Sequence, residues 1–174
     1  MSAATPEAAE ATEATEAVDV ILDTNVVLDW LVFQHASGLA IGEAVEAGRL
    51  RWIVSPAMQE ELTDVLGRLL HLPTLMRWAE RHAPASREVA RLAQPVSAPG
   101  PLPHPQRLRC TDPDDQCFID LAVSRRTPWL ITRDHALRRL ARRARAFDVA
   151  VVTPEGWAAA QACRAPLPHP DPLP

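Results

Sequence analysis

Lysine and tyrosine are absent from this chain of 174 residues, so all 18 of its basic residues are arginine. The lack of lysine excludes a phosphate-binding P-loop and a Schiff-base mechanism, because both need a lysine side chain. Cysteine is scarce: only Cys110, Cys117 and Cys163 occur, and no two of them have Cys-x-x-Cys spacing. This pattern excludes a disulfide framework and a cysteine zinc site, so we expect a reducing, cytoplasmic location.

Long apolar runs are also missing. No stretch approaches the ~20 apolar residues that a transmembrane helix requires. The opening residues MSAATPEAAE lack the basic segment and the apolar segment of a secretory signal. We therefore expect no association with a membrane.

The net charge of −4 comes entirely from the first 17 residues, which contain four glutamates and no arginine. The rest of the chain has 18 acidic and 18 basic residues. Binding to a polyanion would therefore depend on where the arginines cluster and not on the total charge.

The composition divides the chain into three parts. Residues 1–17 are rich in Ala, Thr and Glu and are expected to be a disordered tail. Residues 18–162 are expected to form one folded domain that contains a proline-rich loop at 95–105. Residues 163–174 hold too many prolines for a helix or a central strand and are expected to be a second tail.

Short β-branched runs alternate with longer helical patterns along the domain. Strands are predicted at 18–22, 51–55, 128–132 and 149–152, with helices between and after them, including 74–93 and a helix from Asp134 to Phe147. Such alternation predicts a three-layer α/β/α fold around a parallel sheet of about four to five strands.

Four acidic residues follow the predicted strands. Asp23 comes directly after the first strand, and Asp134 lies two residues after the third. Glu61 lies on the inward face of the helix after the second strand, and Asp115 lies on the inward face of the helix that is predicted to begin near Pro113. We expect them to converge, because the carboxyl ends of parallel strands meet at one edge of the sheet.

Each of these acids also has a simpler interpretation. Asp134 could be only a helix N-cap, Asp115 only a first-turn acid, and Glu61 a solvated helix residue. Taken together, however, crowded carboxylates either gain protons or bind a cation. Oxygen ligands without His or Cys suit Mg²⁺ or Mn²⁺, and acidic metal sites commonly hydrolyse phosphodiesters.

Four segments of the sequence resemble those of PIN-domain proteins. They are ILDTNVVLDW, SPAMQEEL, DPDDQCFIDLAVSRRTPWLITRDHAL and VVTPEGW, in the family's order between about residues 18 and 162. Among PIN domains, the chain is most similar to the PIN-like toxins of bacterial toxin–antitoxin pairs. The resemblance implies a PIN-like fold and a metal-dependent ribonuclease whose products carry a 5′-phosphate and a 3′-hydroxyl.

The resemblance also implies residue roles. It assigns catalysis and Mg²⁺ or Mn²⁺ binding to Asp23, Glu61, Asp115 and Asp134, with support from Asn25, Thr132 and Asp112. It leaves open whether Asp112 or Asp114 shares the work of Asp115. It also leaves open whether one or two metal ions bind, because Arg138 occupies a position that is an acid in some relatives.

The partners that the resemblance implies are an RNA substrate and a cognate antitoxin protein; a homodimer is a further expectation. Trp30, Val32 or Phe33 is expected to be exposed for such a contact. The alternative function is a non-catalytic PIN-fold module that binds RNA or a protein. A haloacid-dehalogenase-like phosphatase is disfavoured, because Asn25 replaces the second Asp of its motif and lysine is absent.

Arginines crowd the helix that is predicted to start at Asp134. Arg138, Arg142 and Arg145 would share one face of it, and Arg133 precedes it. We predict RNA binding by Arg133, Arg138 and Arg142. The equally open alternatives are a solvated helix face and, for Arg133, simple neutralisation of the acidic cluster.

Overall fold

The computed structural model describes residues 16–104 and 107–163. Most of both predicted tails, residues 1–15 and 164–174, lies outside the described residues. The strands are β1 (Val18–Leu22), β2 (Leu50–Val54), β3 (Gln94–Pro95), β4 (Trp129–Ile131) and β5 (Ala150–Val152). The α-helices are α1 (Thr24–Leu31), α2 (Ala36–Glu46), α3 (Pro56–Arg68), α4 (His82–Leu92), α5 (Gln116–Arg125), α6 (His135–Arg138), α7 (Ala141–Ala144) and α8 (Pro154–Ala162). Two 3₁₀ helices span Met76–Arg81 and Arg145–Phe147.

The strands form one parallel sheet in the order β3-β2-β1-β4-β5. Side chains alternate between its two faces: in β1, Val20 and Leu22 join one hydrophobic core and Ile21 joins the other. Helices α1, α2 and α8 contribute to the first core, and α5, α6 and α7 contribute to the second. Both faces of the sheet are therefore covered, which explains its nearly continuous apolar strands. The predicted three-layer α/β/α fold is confirmed.

The single helix predicted at 74–93 is wrong. The chain forms a 3₁₀ helix at Met76–Arg81 and then α4. Pro84 explains the change, because proline has no N–H to donate and its ring clashes with the carbonyl four residues earlier.

The single helix predicted from Asp134 to Phe147 is also wrong, since α6, α7 and a 3₁₀ turn replace it. Arginines at 138 and 142, and at 139 and 143, are four residues apart, and like charges at this spacing destabilise a helix. The break means that the predicted arginine face does not lie along one continuous helix.

The start of the proline-rich loop supplies a strand that the sequence pattern did not predict. Gln94 and Pro95 pair with Ile53 and Val54 of β2, and the Val96 N–H donates to the Val54 carbonyl at 2.8 Å. Proline is tolerated because β3 lies at the edge of the sheet.

The expected exposure of the first helix is not observed. Trp30 and Val32 are buried, and Phe33 is half-buried with its ring 4.8 Å from that of Trp78. In the two described ranges, no helix has the length and apolar character needed to span a membrane.

Glycine allows α1 and α2 to pack closely. A Cβ atom at Gly42 would lie 2.0 Å from Nε1 of the buried Trp30. By contrast, nothing lies within 4 Å of a Cβ built at Gly67, near the end of α3.

We predict opposite effects of alanine at these two glycines. Gly42→Ala overpacks the contact with Trp30 and should lower the free energy of unfolding by about 1–3 kcal/mol. Gly67→Ala is the matched control and should raise it by up to about 1 kcal/mol, since alanine favours helix and has room there. Urea unfolding of the two variants measures both effects. Equal effects would contradict the close packing of α1 on α2.

Candidate functional site

The carboxyl ends of β1 and β4 lie side by side at the centre of the sheet. Leu22 pairs with Ile131, and the Asp23 N–H donates to the Ile131 carbonyl at 3.1 Å. Asp23 and Thr132 therefore leave neighbouring strands at the same edge, which is where open α/β sheets place their functional groups.

Asp23 is buried, with 4% of its surface exposed, and is held by polar neighbours. Its Oδ2 accepts hydrogen bonds from Asn25 Nδ2 at 2.6 Å and from the Thr132 hydroxyl. Burial raises the pKa of Asp23 from 3.8 to about 6, although the bonds from Thr132 and Asn25 oppose this shift. Thr132 thus links β4 to the carboxylate at the end of β1.

Asp134 lies two residues after Thr132, and its backbone N–H donates to the Thr132 hydroxyl at 2.8 Å. Its carboxylate caps α6, with Oδ1 accepting from the Ala136 and Leu137 N–H groups at 2.6 and 3.2 Å. The predicted N-cap is therefore confirmed. Burial alone would raise the pKa of Asp134, but these N–H groups and a hydrogen bond from Asp115 lower it.

Asp115 immediately precedes α5, one position outside the helix in which it was predicted. Its carboxyl is hydrogen-bonded to that of Asp134. Burial and then the charges of Asp134 and Asp23 raise the pKa of Asp115 from 3.8 to about 7. Asp115 is therefore the carboxyl of this pair that is more readily protonated.

Glu61 approaches the cluster from α3. It is half-buried on the inward side of the helix while its neighbour Glu60 is exposed, as the helical pattern predicts. The charge of Glu61 helps to raise the pKa of Asp23. The structure thus brings Asp23, Glu61, Asp115 and Asp134 into one electrostatically coupled group, which we call the acid cluster.

Asp112 and Asp114 are both exposed, and Asp112 Oδ1 accepts from the Asp114 N–H at 3.0 Å. The charge of Asp112 contributes to the raised pKa of Asp115. Asp112 therefore lies beside the acid cluster. Its supporting role remains a prediction, as does the sharing of work among these three residues.

Arg133 points away from the acid cluster towards other acids. Its Nε donates to Asp29 Oδ2 at 2.8 Å, and its Nη2 donates to Glu155 Oε1 at 2.6 Å and to Ser37 Oγ at 2.9 Å. Asp29 is 7% exposed and also contacts His35 Nδ1 at 2.9 Å. Arg133 thereby joins the end of β4 to α1, α2 and α8, so its predicted contact with RNA remains a prediction.

Sequence reasoning missed this ion-pair group. Its signal was present, because Asp29 is a lone acid within an otherwise apolar stretch of α1. A buried carboxylate requires a charged or hydrogen-bonding partner. The identity of that partner, 104 residues away in sequence, could not be read from the pattern.

Two cysteines also lie beside the acid cluster, which the sequence did not indicate. Burial raises the pKa of Cys117 to about 12, with contributions from the charges of Glu61 and Asp115. Burial likewise raises the pKa of Cys110. Both thiols therefore stay protonated and are poor nucleophiles.

Within residues 16–104 and 107–163, no three His, Cys, Asp or Glu side chains already stand as a set of metal ligands. Asp134 uses one oxygen on the end of α6, and Asp23 uses one on Thr132 and Asn25. Each carboxylate has a second oxygen that can accept further bonds.

Comparison with known proteins identifies the family. The family model described as "PIN domain" matches residues 19–136, which is more than half of the chain. The chain therefore belongs to the PIN-domain family. No curated protein matches it significantly.

Two solved structures share the fold. One is VapBC2 from Rickettsia felis bound to a DNA fragment from their promoter, which is 9% identical with a TM-score of 0.53, over 78% of this chain and 98% of that one. The other is PAE2754 from Pyrobaculum aerophilum, which is 15% identical with a TM-score of 0.53, over 88% of this chain and 97% of that one. At these identities the likeness extends to the fold alone.

The raised pKa of Asp115 leads to a prediction about pH. Its carboxyl keeps a proton in the folded state up to about pH 7, whereas in the unfolded state the pKa is near 3.8. The folded state thus binds more protons between these values, and its stability falls as the pH rises through this window. In EDTA, Asp115→Asn should melt above the wild type at pH 8, and the difference should shrink towards about pH 4.

The matched control is Asp114→Asn, which removes an exposed acid from the same loop. Its melting temperature should differ from that of the wild type by the same small amount at every pH. A constant offset for Asp115→Asn as well would show that Asp115 is not crowded by the other acids.

The Arg133 contacts lead to a second prediction. Arg133→Gln removes the guanidinium from the buried Asp29 carboxylate, which keeps its contact with His35 Nδ1, and should lower the free energy of unfolding by about 2 kcal/mol. Glu155→Gln removes only the exposed half of the group and should cost less than about 1 kcal/mol. Urea unfolding compares the two, and a larger loss for Glu155→Gln would contradict the dominance of the Asp29 contact.

Proposed function

We propose that this PIN-domain protein is a metal-dependent ribonuclease that cleaves RNA phosphodiesters, and that it is the toxin of a toxin–antitoxin pair. The observation that carries the proposal is the acid cluster, in which four carboxylates share one electrostatic environment: they follow β1 and β4, lie on α3 and precede α5. Such crowding of carboxylates does not stabilise the folded protein, because the like charges repel and raise one another's pKa.

The residues fit a hard divalent cation. The cluster offers carboxylate oxygens only, which suit Mg²⁺ or Mn²⁺. The nearest arginine in the chain, Arg133, is paired with Asp29 and Glu155 instead. Arg133 therefore does not neutralise the cluster, and a divalent cation held by Asp23, Glu61, Asp115 and Asp134 would balance its charge.

The surrounding residues prepare the site. Thr132 and Asn25 both donate to Asp23 Oδ2 and so fix the orientation of this carboxylate. The Asp134 N–H donates to the Thr132 hydroxyl, which also donates to Asp23, and this link fixes the spacing of two of the acids. When bound, a divalent ion would supply Lewis acidity for water attack on a phosphodiester, and the family resemblance implies 5′-phosphate and 3′-hydroxyl products.

A protein antitoxin is the partner we propose. The family resemblance implies this partner, and one solved structure with this fold, VapBC2, is described as bound to a DNA fragment from their promoter. A cytoplasmic location and a homodimer are further parts of the proposal. The three free cysteines among the described residues are consistent with a reducing, cytoplasmic location.

Cleavage of a labelled single-stranded RNA tests the proposal. Cleavage is expected with Mg²⁺ or Mn²⁺ and should stop in EDTA. Asp23→Asn should reduce the rate by at least about 100-fold, since a ligand charge is lost with almost no change in volume. Asp64→Asn, an exposed acid on α3, is the control and should retain the wild-type rate. RNA binding without cleavage under any metal would favour the non-catalytic module instead.

A further inference from the structure

Two cavities lie on either side of Pro113, next to the acid cluster. The first, of about 520 Å³, we call the Arg139 cavity; Asp112, Asp134, His135 and Arg139 contribute to its wall. The second, of about 650 Å³, we call the Glu61 cavity; Glu60, Glu61, Asp64, Asp114 and Arg68 contribute to its wall. Either one is large enough for a nucleotide-sized group, since small-ligand sites occupy about 300–1,000 Å³.

The two cavities differ in charge. The wall of the Glu61 cavity has four carboxylates and one arginine. The wall of the Arg139 cavity has two carboxylates, one of which caps α6, together with an arginine and a histidine. RNA carries one negative charge per nucleotide, so the Glu61 cavity repels the backbone more strongly than the Arg139 cavity does.

Arg139 is placed to receive a phosphate. It follows the last residue of α6, five positions after Asp134, and it is exposed. Among the described residues its guanidinium makes no ion pair, unlike that of Arg133. Arg138 and Arg142, which the sequence favoured, are exposed as well but do not contribute to the wall of this cavity.

We propose that the Arg139 cavity binds the ribose-phosphate backbone beside the scissile bond, with the Arg139 guanidinium on a phosphate and His135 lining the same pocket. The inference rests on the proposed RNA substrate. It gives the substrate a direction across the site: the strand leaves the acid cluster past Asp134 and Arg139, and not past Glu61 and Asp64.

The test is the salt dependence of binding to a fluorescein-labelled single-stranded RNA of mixed sequence, measured by anisotropy in EDTA. Each phosphate contact contributes about 0.7 to the slope of log affinity against log salt. Arg139→Gln should flatten the slope by about 0.7 and weaken binding about tenfold at low salt. Arg139→Lys keeps the charge and should keep the slope.

Two further variants serve as controls. Arg138→Gln removes the adjacent exposed arginine, and Arg68→Gln removes the arginine of the Glu61 cavity. Both should leave the slope unchanged. A flattened slope in either control with an unchanged slope in Arg139→Gln would overturn the proposal and direct RNA to another side of the site.

Metal-dependent cleavage by the wild type, measured in parallel, separates this inference from the proposed function. Cleavage with an unchanged slope in Arg139→Gln overturns the cavity assignment and leaves the nuclease standing. An Arg139-dependent slope without cleavage supports the cavity and overturns the nuclease. A wild type that neither cleaves nor binds RNA overturns both.

Discussion

The burial of one carboxylate, that of Asp23, is the constraint on which the centre of the structure depends. A charged group that is 4% exposed must have hydrogen-bond partners, and Asp23 takes them from Asn25 on its own helix and from Thr132 on the neighbouring strand. The Thr132 hydroxyl in turn accepts from the Asp134 N–H. A single chain of hydrogen bonds therefore fixes how β1, β4 and the start of α6 meet, and with them the spacing of the acids.

The contacts of Arg133 explain why this arginine does not neutralise the acid cluster. Arg133 adjoins Asp134 in sequence, yet its guanidinium spans Asp29, Ser37 and Glu155 on the other side of β4. The planar fork of arginine suits such a multiple contact better than the point charge of lysine would. With this neighbour already paired, the acid cluster keeps its negative potential, which is the property that a divalent cation requires of its site.

The fold was predictable from the sequence where local patterns determine it. Apolar runs such as that of β1 indicate strands buried on both faces, and Asp134 has the N-cap position that the structure confirms. The predictions of single helices at 74–93 and 134–147 were wrong. Apolar periodicity does not reflect the steric effect of Pro84 or the repulsion between arginines four residues apart. The Asp29–Arg133 contact joins residues 104 apart in sequence, so only the folded chain reveals it.

The position of the proline in β3 has a consequence for self-association. Successive N–H groups of a strand point to opposite sides, and that of Val96 points inward to Val54. The N–H that Pro95 lacks would therefore have faced outward, along the open edge of the sheet. Open edges recruit strands from other molecules through such donors. This edge is thus poorly suited to templating intermolecular β-pairing.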